Sequence, residues 1–293
     1  MNSSPVVPVW AELARAKVNL ALHITGQRRD GFHLLDSLVV FPQIGDRIAI
    51  EPADQTDLVL EGPFARELKD ASGQNLVLKA VAAFAEANKI EVPPLRIILT
   101  KRLPVASGIG GGSSDAATTL RLLEDATGIV MPEDAIHEVA LALGADVPVC
   151  LEPDTQFLRG IGDELLPGPE LPPCDIVLVN PKMAVETPAV FKALTSRKHP
   201  KMPECPVAFS DLEALTDHLA NCRNDLQDAA IQTCPAISDI LDLLGGYSSI
   251  QLARMSGSGA TCFGLCKKGE AIQIERDLRT AHPDWWIASG PLS

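Results

Sequence analysis

Four glycines lie within five positions of one segment, and they carry the clearest chemistry in the sequence. They are Gly108, Gly110, Gly111 and Gly112, between a predicted strand and a predicted helix that begins at Ser114. Glycine leaves backbone N–H groups bare enough to surround a polyphosphate, and a helix N-terminus adds unpaired N–H donors and a positive dipole end. The alternative is a structural turn, in which four glycines would cost backbone entropy without return. We therefore predict a nucleotide-phosphate loop.

Two familiar glycine patterns do not fit this loop, which runs from Pro104 to Asp115. A Walker loop requires a lysine before its Ser or Thr, and the segment contains none. The dinucleotide-binding pattern requires a third glycine where Ser113 stands. Either Ser113 or Ser114 would instead offer a hydroxyl to a phosphate oxygen or to Mg²⁺, so ATP and Mg²⁺ are the expected ligands.

Phosphoryl transfer to an alcohol also needs a group beside the acceptor hydroxyl and a cation near the phosphoryl group. Asp146 follows a predicted helix and precedes a proline-restricted bend, in Gly144-Ala-Asp-Val-Pro148. Lys17 is a charge within an otherwise apolar predicted strand. Each residue also has a structural interpretation, since Asp146 could cap a turn and Lys17 could extend its ammonium group from an edge strand. The residues alone leave both interpretations open.

Composition narrows the class of protein. The composition, with 46% hydrophobic and 22% charged residues, is typical of a globular protein. The length of 293 residues is sufficient for two domains. A net charge of -13 argues against a nucleic-acid partner. We find neither a signal peptide nor an apolar run of roughly 18 residues, so we predict a cytoplasmic protein without a membrane segment. The seven scattered cysteines predict reduced thiols rather than a zinc site.

Helices and strands mix without regular β-α-β alternation, which predicts the α+β class. We expect residues 1–10 to be disordered, a strand over Ala11–Ile24 and a helix over Ser114–Thr127. The Pro-rich stretch after residue 166 predicts a boundary between domains 1–168 and 169–293. Further strands are predicted at Leu34–Phe41, Asp46–Glu51, Leu58–Leu60, Leu95–Thr100, Gln156–Ile161, Asp163–Leu166, Ile176–Val179, Gln251–Met255, Thr261–Cys266 and Trp285–Ala288. Further helices are predicted at residues 75–88, Glu133–Leu143, Pro188–Leu194, Leu212–Leu219, Leu226–Gln232, Ala236–Leu244 and Ala271–Ala281.

Three stretches together resemble the GHMP kinases, the family of galactokinase, homoserine kinase, mevalonate kinase and phosphomevalonate kinase. They are residues 16–33 with Asp30-Gly-Phe-His33, residues 101–117 with the glycine loop, and residues 144–148, joined later by Met255-Ser-Gly-Ser-Gly-Ala-Thr261. The resemblance implies a two-domain α+β fold with ATP and substrate in the cleft between the domains. It also implies that Asp146 is the catalytic base and that Lys17 is the cation that polarises the acceptor hydroxyl.

The resemblance implies ATP contacts along the loop and just outside it. The residues concerned are Asn75, near the adenine, with Lys101, Pro104, Val105, Ala106, Ser107, Gly108, Ile109, Gly110, Gly111, Gly112, Ser113 and Ser114. Asp115 stands where some members have Asn. A carboxylate beside a triphosphate is unfavourable unless it points away or reaches Mg²⁺ through water.

The Asp30-Gly-Phe-His33 element matches the branch of the family that phosphorylates the 2-hydroxyl of a methylerythritol unit carried on cytidine diphosphate, in the non-mevalonate isoprenoid pathway. In that branch Asn19, His33 and Thr187 meet the substrate, with His33 reading the cytosine edge. Phe32 and Phe191 match an aromatic pair around the cytosine ring, and Phe32 replaces the usual Tyr. A kinase of the homoserine or mevalonate type and a non-catalytic nucleotide sensor are the alternatives. Either a monomer or a homodimer fits the sequence.

Overall fold

The computed structural model describes residues 9–68 and 75–292. The chain divides into two compact units made of interleaved segments. Unit 1 draws its residues from Met1–Ala14, Gly45–Val105 and Gly111–Glu152, and unit 2 from Arg15–Ile44, Ala106–Gly110 and Pro153–Ser293. Residues 1–8 of the predicted disordered leader lie outside the described residues. Trp10, the last residue of the predicted leader, is instead the first residue of the first strand.

Within the described residues the chain forms strands and helices in the following order. The strands are β1 (Trp10–Arg15), β2 (Val18–Gln27), β3 (His33–Val40), β4 (Gly45–Pro52), β5 (Asp57–Glu61), β6 (Leu95–Thr100), β7 (Gln156–Gly160), β8 (Glu164–Pro167), β9 (Cys174–Asn180), β10 (Leu252–Met255), β11 (Cys262–Lys267) and β12 (Trp286–Pro291). The helices are α1 (Leu76–Asn88), α2 (Gly111–Thr127), α3 (Glu133–Leu143), α4 (Thr187–Lys192), α5 (Leu212–Ala220), α6 (Gln227–Thr233), α7 (Ala236–Gly245) and α8 (Ala271–Ala281).

Unit 1 packs α1, α2 and α3 with a four-stranded sheet of order β1-β4-β6-β5. Along β6 the residues Leu95, Ile97 and Leu99 are buried, which is the two-residue period of a strand with one face in the core. Helix α2 contacts both β4 and α1. The sheet therefore brings the end of β6 close to the helix that follows the glycine loop.

Unit 2 contains two four-stranded sheets, of orders β2-β3-β7-β8 and β10-β11-β9-β12. All seven residues of β9 are buried, since this strand pairs antiparallel with β11 on one side and with β12 on the other. Strand β2, helices α6 to α8 and the second sheet contribute residues to one hydrophobic core. Mostly antiparallel sheets with helices in separate runs confirm the predicted α+β class.

One predicted strand and one predicted helix start need correction. The strand over Ala11–Ile24 is two strands, because the backbone N–H groups of Ala16 and Lys17 leave the ladder to donate to Ile44 and Ile109 at 2.8 and 2.9 Å. The helix expected from Ser114 begins three residues earlier, at Gly111. The other predicted elements are present, with ends that differ by a few residues. The domain boundary at residue 168 stays a prediction.

The seven cysteines, all within the described residues, are free thiols, as expected. Over residues 9–68 and 75–292, each α-helix is too short or too polar to span a bilayer.

Candidate active site

The backbone of the glycine loop takes conformations that side chains oppose. In unit 2, Ala106, Gly108 and Gly110 have positive φ values of 51°, 76° and 64°. A Cβ atom on Gly108 would lie 2.4 Å from the carbonyl oxygen of Gly259. Glycine is therefore required at residue 108 both by its φ angle and by the close approach of another backbone segment.

The segment from Met255 to Thr261, between β10 and β11, holds this loop. Thr261 Oγ1 donates a hydrogen bond of 2.6 Å to the Ser107 carbonyl oxygen and accepts one of 2.8 Å from Asn180 Nδ2. The amide of Lys17 donates to the carbonyl oxygen of Ile109 at 2.9 Å. The loop in unit 2 is thus fixed from two neighbouring segments before any ligand binds.

The start of α2 presents backbone and one hydroxyl to solvent. Gly112 is exposed and Ser113 is half-buried, whereas Ser114 is only 2% exposed. The first turn of α2 contains no acidic residue, so its N–H groups and dipole remain favourable for an anion. A Cβ atom on Gly111 would lie 3.3 Å from Lys101 Nζ, a tight contact that a larger residue would relieve only by displacing the lysine. Of the two candidate serines, Ser113 is the more accessible to a ligand.

Lys101 lies in the interior of unit 1 between two carboxylates. Its Nζ is 2.5 Å from Asp46 Oδ2 and 2.7 Å from Asp115 Oδ2, and the three side chains are at most 4% exposed. Burial by itself lowers the Lys101 pKa, but the two carboxylates outweigh it and the pKa is raised. Burial raises the pKa of Asp115 to about 7, although Lys101 opposes the shift. Asp115 therefore points away from solvent and into an ion-pair cluster.

The two predicted catalytic residues lie in different units. Lys17, in unit 2, connects β1 to β2 and is 6% exposed. Asp146, in unit 1, is exposed and lies between α3 and a short 3₁₀ turn at Pro148–Cys150. The amide of Val147 donates to the Gly144 carbonyl oxygen at 3.0 Å, so a tight turn presents Asp146 at the end of α3. Their catalytic roles stay predictions.

Asn19, a predicted substrate contact, has its amide orientation fixed by Ser37 in unit 2. Ser37 Oγ donates to the Ala21 carbonyl oxygen at 2.6 Å and accepts from Asn19 Nδ2 at 2.8 Å. The backbone amide of Asn19 donates to Ser256 Oγ at 3.0 Å. Because the hydroxyl proton of Ser37 is used by Ala21, the Asn19 side chain must offer its NH₂ group to Ser37 and keep its oxygen as an acceptor.

The predicted cytosine-binding residues are only partly brought together. The rings of His33 and Phe191 lie with centroids 4.8 Å apart and planes tilted by 30°. His33 Nε2 is buried without a hydrogen-bond partner, and burial, with a smaller effect of Arg197, lowers the pKa of the imidazole. Phe32 is 59% exposed in the turn before β3. The sandwich of Phe32 and Phe191 around a base therefore stays a prediction, and so does the contact of His33 with the base edge, for which its ring nitrogen is available.

Two other predicted contacts already have partners. Thr187 begins α4, and its Oγ1 lies 2.7 Å from Ser258 Oγ. Asn75 is the N-cap of α1, where its Oδ1 accepts from the Val77 amide at 2.9 Å. The sequence reasoning missed Asp46, Ser37 and Arg197. Only the burial of a charge in strand β4 could have singled out Asp46, because its partners are distant in the sequence.

The protein could bind Mg²⁺ here only through one or two oxygens, with the remaining ligands supplied by substrate phosphates and water. In the described residues, no group of three or more His, Cys, Asp or Glu side chains could hold a metal. Mg²⁺ commonly keeps several waters and binds substrate phosphates with one or two protein oxygens. The half-buried Ser113 hydroxyl at the start of α2 suits that arrangement. Asp115 Oδ1 has no hydrogen-bond partner, but it is buried.

Family models and named relatives match this chain in sequence, and solved structures match it in fold. The family model described as "GHMP kinases N terminal domain" matches residues 75–152, and that described as "GHMP kinases C terminal" matches residues 207–284. A 4-diphosphocytidyl-2-C-methyl-D-erythritol kinase of Roseobacter denitrificans is 48% identical over 97% of this chain and 94% of its own. The corresponding kinase of Ruegeria pomeroyi is 51% identical over 94% of this chain and 97% of its own.

Two solved kinase structures have a fold similar to that of this chain. A crystal structure of 4-(cytidine 5'-diphospho)-2C-methyl-D-erythritol kinase is 32% identical, covers 97% of this chain and 99% of its own, and has a TM-score of 0.76. Homoserine kinase from Cytophaga hutchinsonii has a TM-score of 0.69 at 16% identity, covering 99% of this chain and 96% of its own. At that identity the second likeness concerns the fold alone.

Proposed function

The chain belongs to the GHMP kinase family, and we propose that it transfers the γ-phosphoryl group of ATP to the 2-hydroxyl of 4-diphosphocytidyl-2-C-methyl-D-erythritol. The relatives that are about half identical over nearly their whole length are named for this alcohol, and this observation carries the choice of substrate. The step belongs to the non-mevalonate route to isoprenoid precursors.

The glycine loop and the start of α2 support the nucleotide half of the reaction. The backbone with positive φ at Ala106, Gly108 and Gly110 and the first N–H groups of α2, which lack an intrahelical acceptor, would donate to the phosphates. The Ser113 hydroxyl would hold Mg²⁺, which supplies charge neutralisation on the β- and γ-phosphates when bound. The adenine contact of Asn75 would use its NH₂ group, since its oxygen already caps α1.

Asp146 acts as the base in the proposed reaction. It takes the proton of the acceptor 2-hydroxyl, whose oxygen forms a new bond to the γ-phosphorus while the bond to the β–γ bridging oxygen breaks. ADP leaves with the electron pair of that bond, and the products are ADP and the 2-phosphate. Lys17 supplies a cation that polarises the acceptor hydroxyl.

The alcohol substrate is selected through its cytosine. His33, with a buried ring nitrogen that lacks a partner, offers a hydrogen bond to the base edge, and Phe191 lies against the same imidazole. Phe32 offers an exposed ring for stacking. Asn19 offers an acceptor oxygen, and Thr187 at the start of α4 is a further contact.

An acceptor panel tests the proposal. Purified protein is incubated with Mg²⁺, ATP and one alcohol at a time, namely the cytidine-bearing diphosphate, homoserine or mevalonate. ADP release is followed by a coupled assay, and the phosphorylated carbon is assigned by ³¹P NMR. We expect turnover with the cytidine-bearing diphosphate and phosphate on its 2-oxygen. Preference for homoserine or mevalonate would place the chain in another branch, and ATP binding without turnover on any acceptor would favour a nucleotide sensor.

A further inference from the structure

The ion-pair cluster of unit 1 connects three elements that meet at the start of α2. Asp46 belongs to β4, Lys101 follows the last residue of β6, and Asp115 lies one turn into α2. Asp46 Oδ2 and Asp115 Oδ2 are both within 2.7 Å of Lys101 Nζ. A single ammonium group thereby joins the inner strand β4 to the helix whose first turn would face the phosphates.

Asp46 also fixes the chain that enters the loop. Its Oδ1 accepts hydrogen bonds from the backbone amides of Arg102 and Leu103, at 2.5 and 2.8 Å. One carboxylate therefore holds the segment before the loop, and through Lys101 it holds the helix after the loop. Such a two-sided attachment restricts the loop at both of its ends.

Charge balance argues against a direct phosphate contact by Lys101. Its side chain is 3% exposed, and two of its three N–H donors are directed at carboxylates. Two carboxylates more than balance one ammonium charge when both are ionised. Because both carboxylates lie within 2.7 Å of one ammonium group, the cluster has no surplus positive charge to offer a phosphate.

We propose that Asp46, Lys101 and Asp115 form a positioning cluster that sets the first turn of α2 for the phosphates of ATP, with Lys101 acting through the two carboxylates instead of contacting the nucleotide. The proposal rests on the proposed function only in taking ATP as the ligand. It replaces the expectation, drawn from the family resemblance, that Lys101 binds ATP.

The direction in which Asp115→Ala changes the affinity for ATP shows whether Lys101 binds phosphate or positions α2. Asp115→Ala removes a negative charge and frees Lys101. If Lys101 bound phosphate directly, the variant would bind ATP more tightly. If the cluster positions α2, the variant loses the bond between Lys101 and the helix and binds ATP about tenfold more weakly, as expected when a charge-assisted hydrogen bond is lost. Asp115→Asn keeps an oxygen for Lys101 Nζ and is expected to stay within about threefold of the wild type.

The measurement is calorimetric binding of a non-hydrolysable ATP analogue to the full chain, together with the KM for ATP and for the alcohol. We expect Asp115→Ala to raise the KM for ATP while the KM for the alcohol is unchanged. Glu124→Gln is the matched control, since Glu124 lies in α2 and its carboxylate accepts from the Met131 amide at 2.6 Å, far from the loop. The control is expected to keep wild-type binding.

Tighter or unchanged binding by Asp115→Ala would overturn the proposal. Equal losses in Asp115→Ala and Asp115→Asn, or a parallel rise of both KM values with a lower Tm, would reduce the cluster to general structural support and also overturn it. Failure of the proposed function gives a different pattern, because the alcohol would not be phosphorylated while analogue binding still responds to Asp115→Ala.

Discussion

Thr261 donates a hydrogen bond of 2.6 Å from its hydroxyl to the carbonyl oxygen of Ser107, a residue 154 positions earlier in the chain. The same hydroxyl accepts from Asn180 Nδ2 at 2.8 Å, so it serves β9 and the glycine loop at once. The glycine loop therefore has a defined backbone shape that depends on a distant side chain. A preorganised loop loses less entropy when a nucleotide binds.

Thr261→Val is expected to weaken ATP binding. The valine has the same shape but removes the hydroxyl bonds to the Ser107 carbonyl oxygen and to Asn180 Nδ2, at a cost of about 1–3 kcal/mol. We expect a KM for ATP raised severalfold and a lower Tm. Thr216→Val, which removes a buried hydroxyl bonded to the Leu212 carbonyl in α5, is the control and should lower Tm without affecting ATP. An unchanged KM for ATP in Thr261→Val would contradict the role assigned to this bond.

Ser37→Ala is expected to act on the alcohol substrate alone. Without Ser37 Oγ the Asn19 amide loses its fixed orientation, and its oxygen is no longer held as an acceptor in a single arrangement. We expect the KM for the cytidine-bearing alcohol to rise about tenfold while the KM for ATP is unchanged. Ser289→Ala, which removes a hydroxyl bond to Glu275 in unit 2, should change neither value. A rise in both KM values would mean that Ser37 supports the fold rather than Asn19.

Phe32→Ala separates binding from stability. The Phe32 ring is 59% exposed, so its removal should change the free energy of unfolding by less than about 0.5 kcal/mol. Loss of a stacking surface should nevertheless raise the KM for the alcohol about tenfold. Val207→Ala, at an 88% exposed position, is the control for removal of an exposed apolar side chain. Wild-type KM values in Phe32→Ala would exclude stacking at this residue.

His23 gives a prediction for pH. Its ring is buried, its Nε2 accepts from the Arg223 amide at 2.9 Å, and its Nδ1 can donate to the Pro200 carbonyl oxygen at 3.0 Å. Burial, together with Arg223, lowers the pKa of the imidazole, although Pro200 and the Asp225 and Asp36 carboxylates oppose the shift. The folded protein thus keeps His23 neutral where the unfolded chain binds a proton, so stability falls as the pH falls below about 6.5.

Thermal unfolding of wild type and His23→Gln at pH 7.5 and 5.5 measures this effect. The variant should be less stable at pH 7.5, because it cannot reproduce the hydrogen bonds of the ring. It should, however, lose less Tm than the wild type between the two pH values. Equal losses would remove His23 from the pH dependence.

Local sequence patterns predicted most of the helices and strands, but they did not predict where the glycine loop ends and α2 begins. A helix start at Ser114 was the natural expectation, because serine caps helices and glycine disfavours them. Helix α2 begins at Gly111 instead, where Lys101 and Leu103 pack close to the Gly111 backbone. Tertiary packing that no local pattern encodes outweighs the intrinsic cost of two glycines.

The same limit applies to the charges of the site. The sequence shows Lys101 beside the loop and Asp115 within it, which suggests phosphate contacts for the lysine and a conflict for the aspartate. Asp46 is 55 residues away from Lys101, and only the folded sheet brings them to 2.5 Å. The acceptor orientation of Asn19 likewise follows from Ser37, which lies on the neighbouring strand.

The central claim is tested most directly by comparing turnover of the wild type with that of Asp146→Asn, using ATP and 4-diphosphocytidyl-2-C-methyl-D-erythritol. Asparagine has the size of aspartate but cannot take the proton of the acceptor hydroxyl. We expect the wild type to produce ADP and the 2-phosphate, and the variant to lose at least about 100-fold in kcat while it binds the ATP analogue normally. A variant that retains near wild-type kcat, or a wild type that does not phosphorylate this alcohol, would contradict the account.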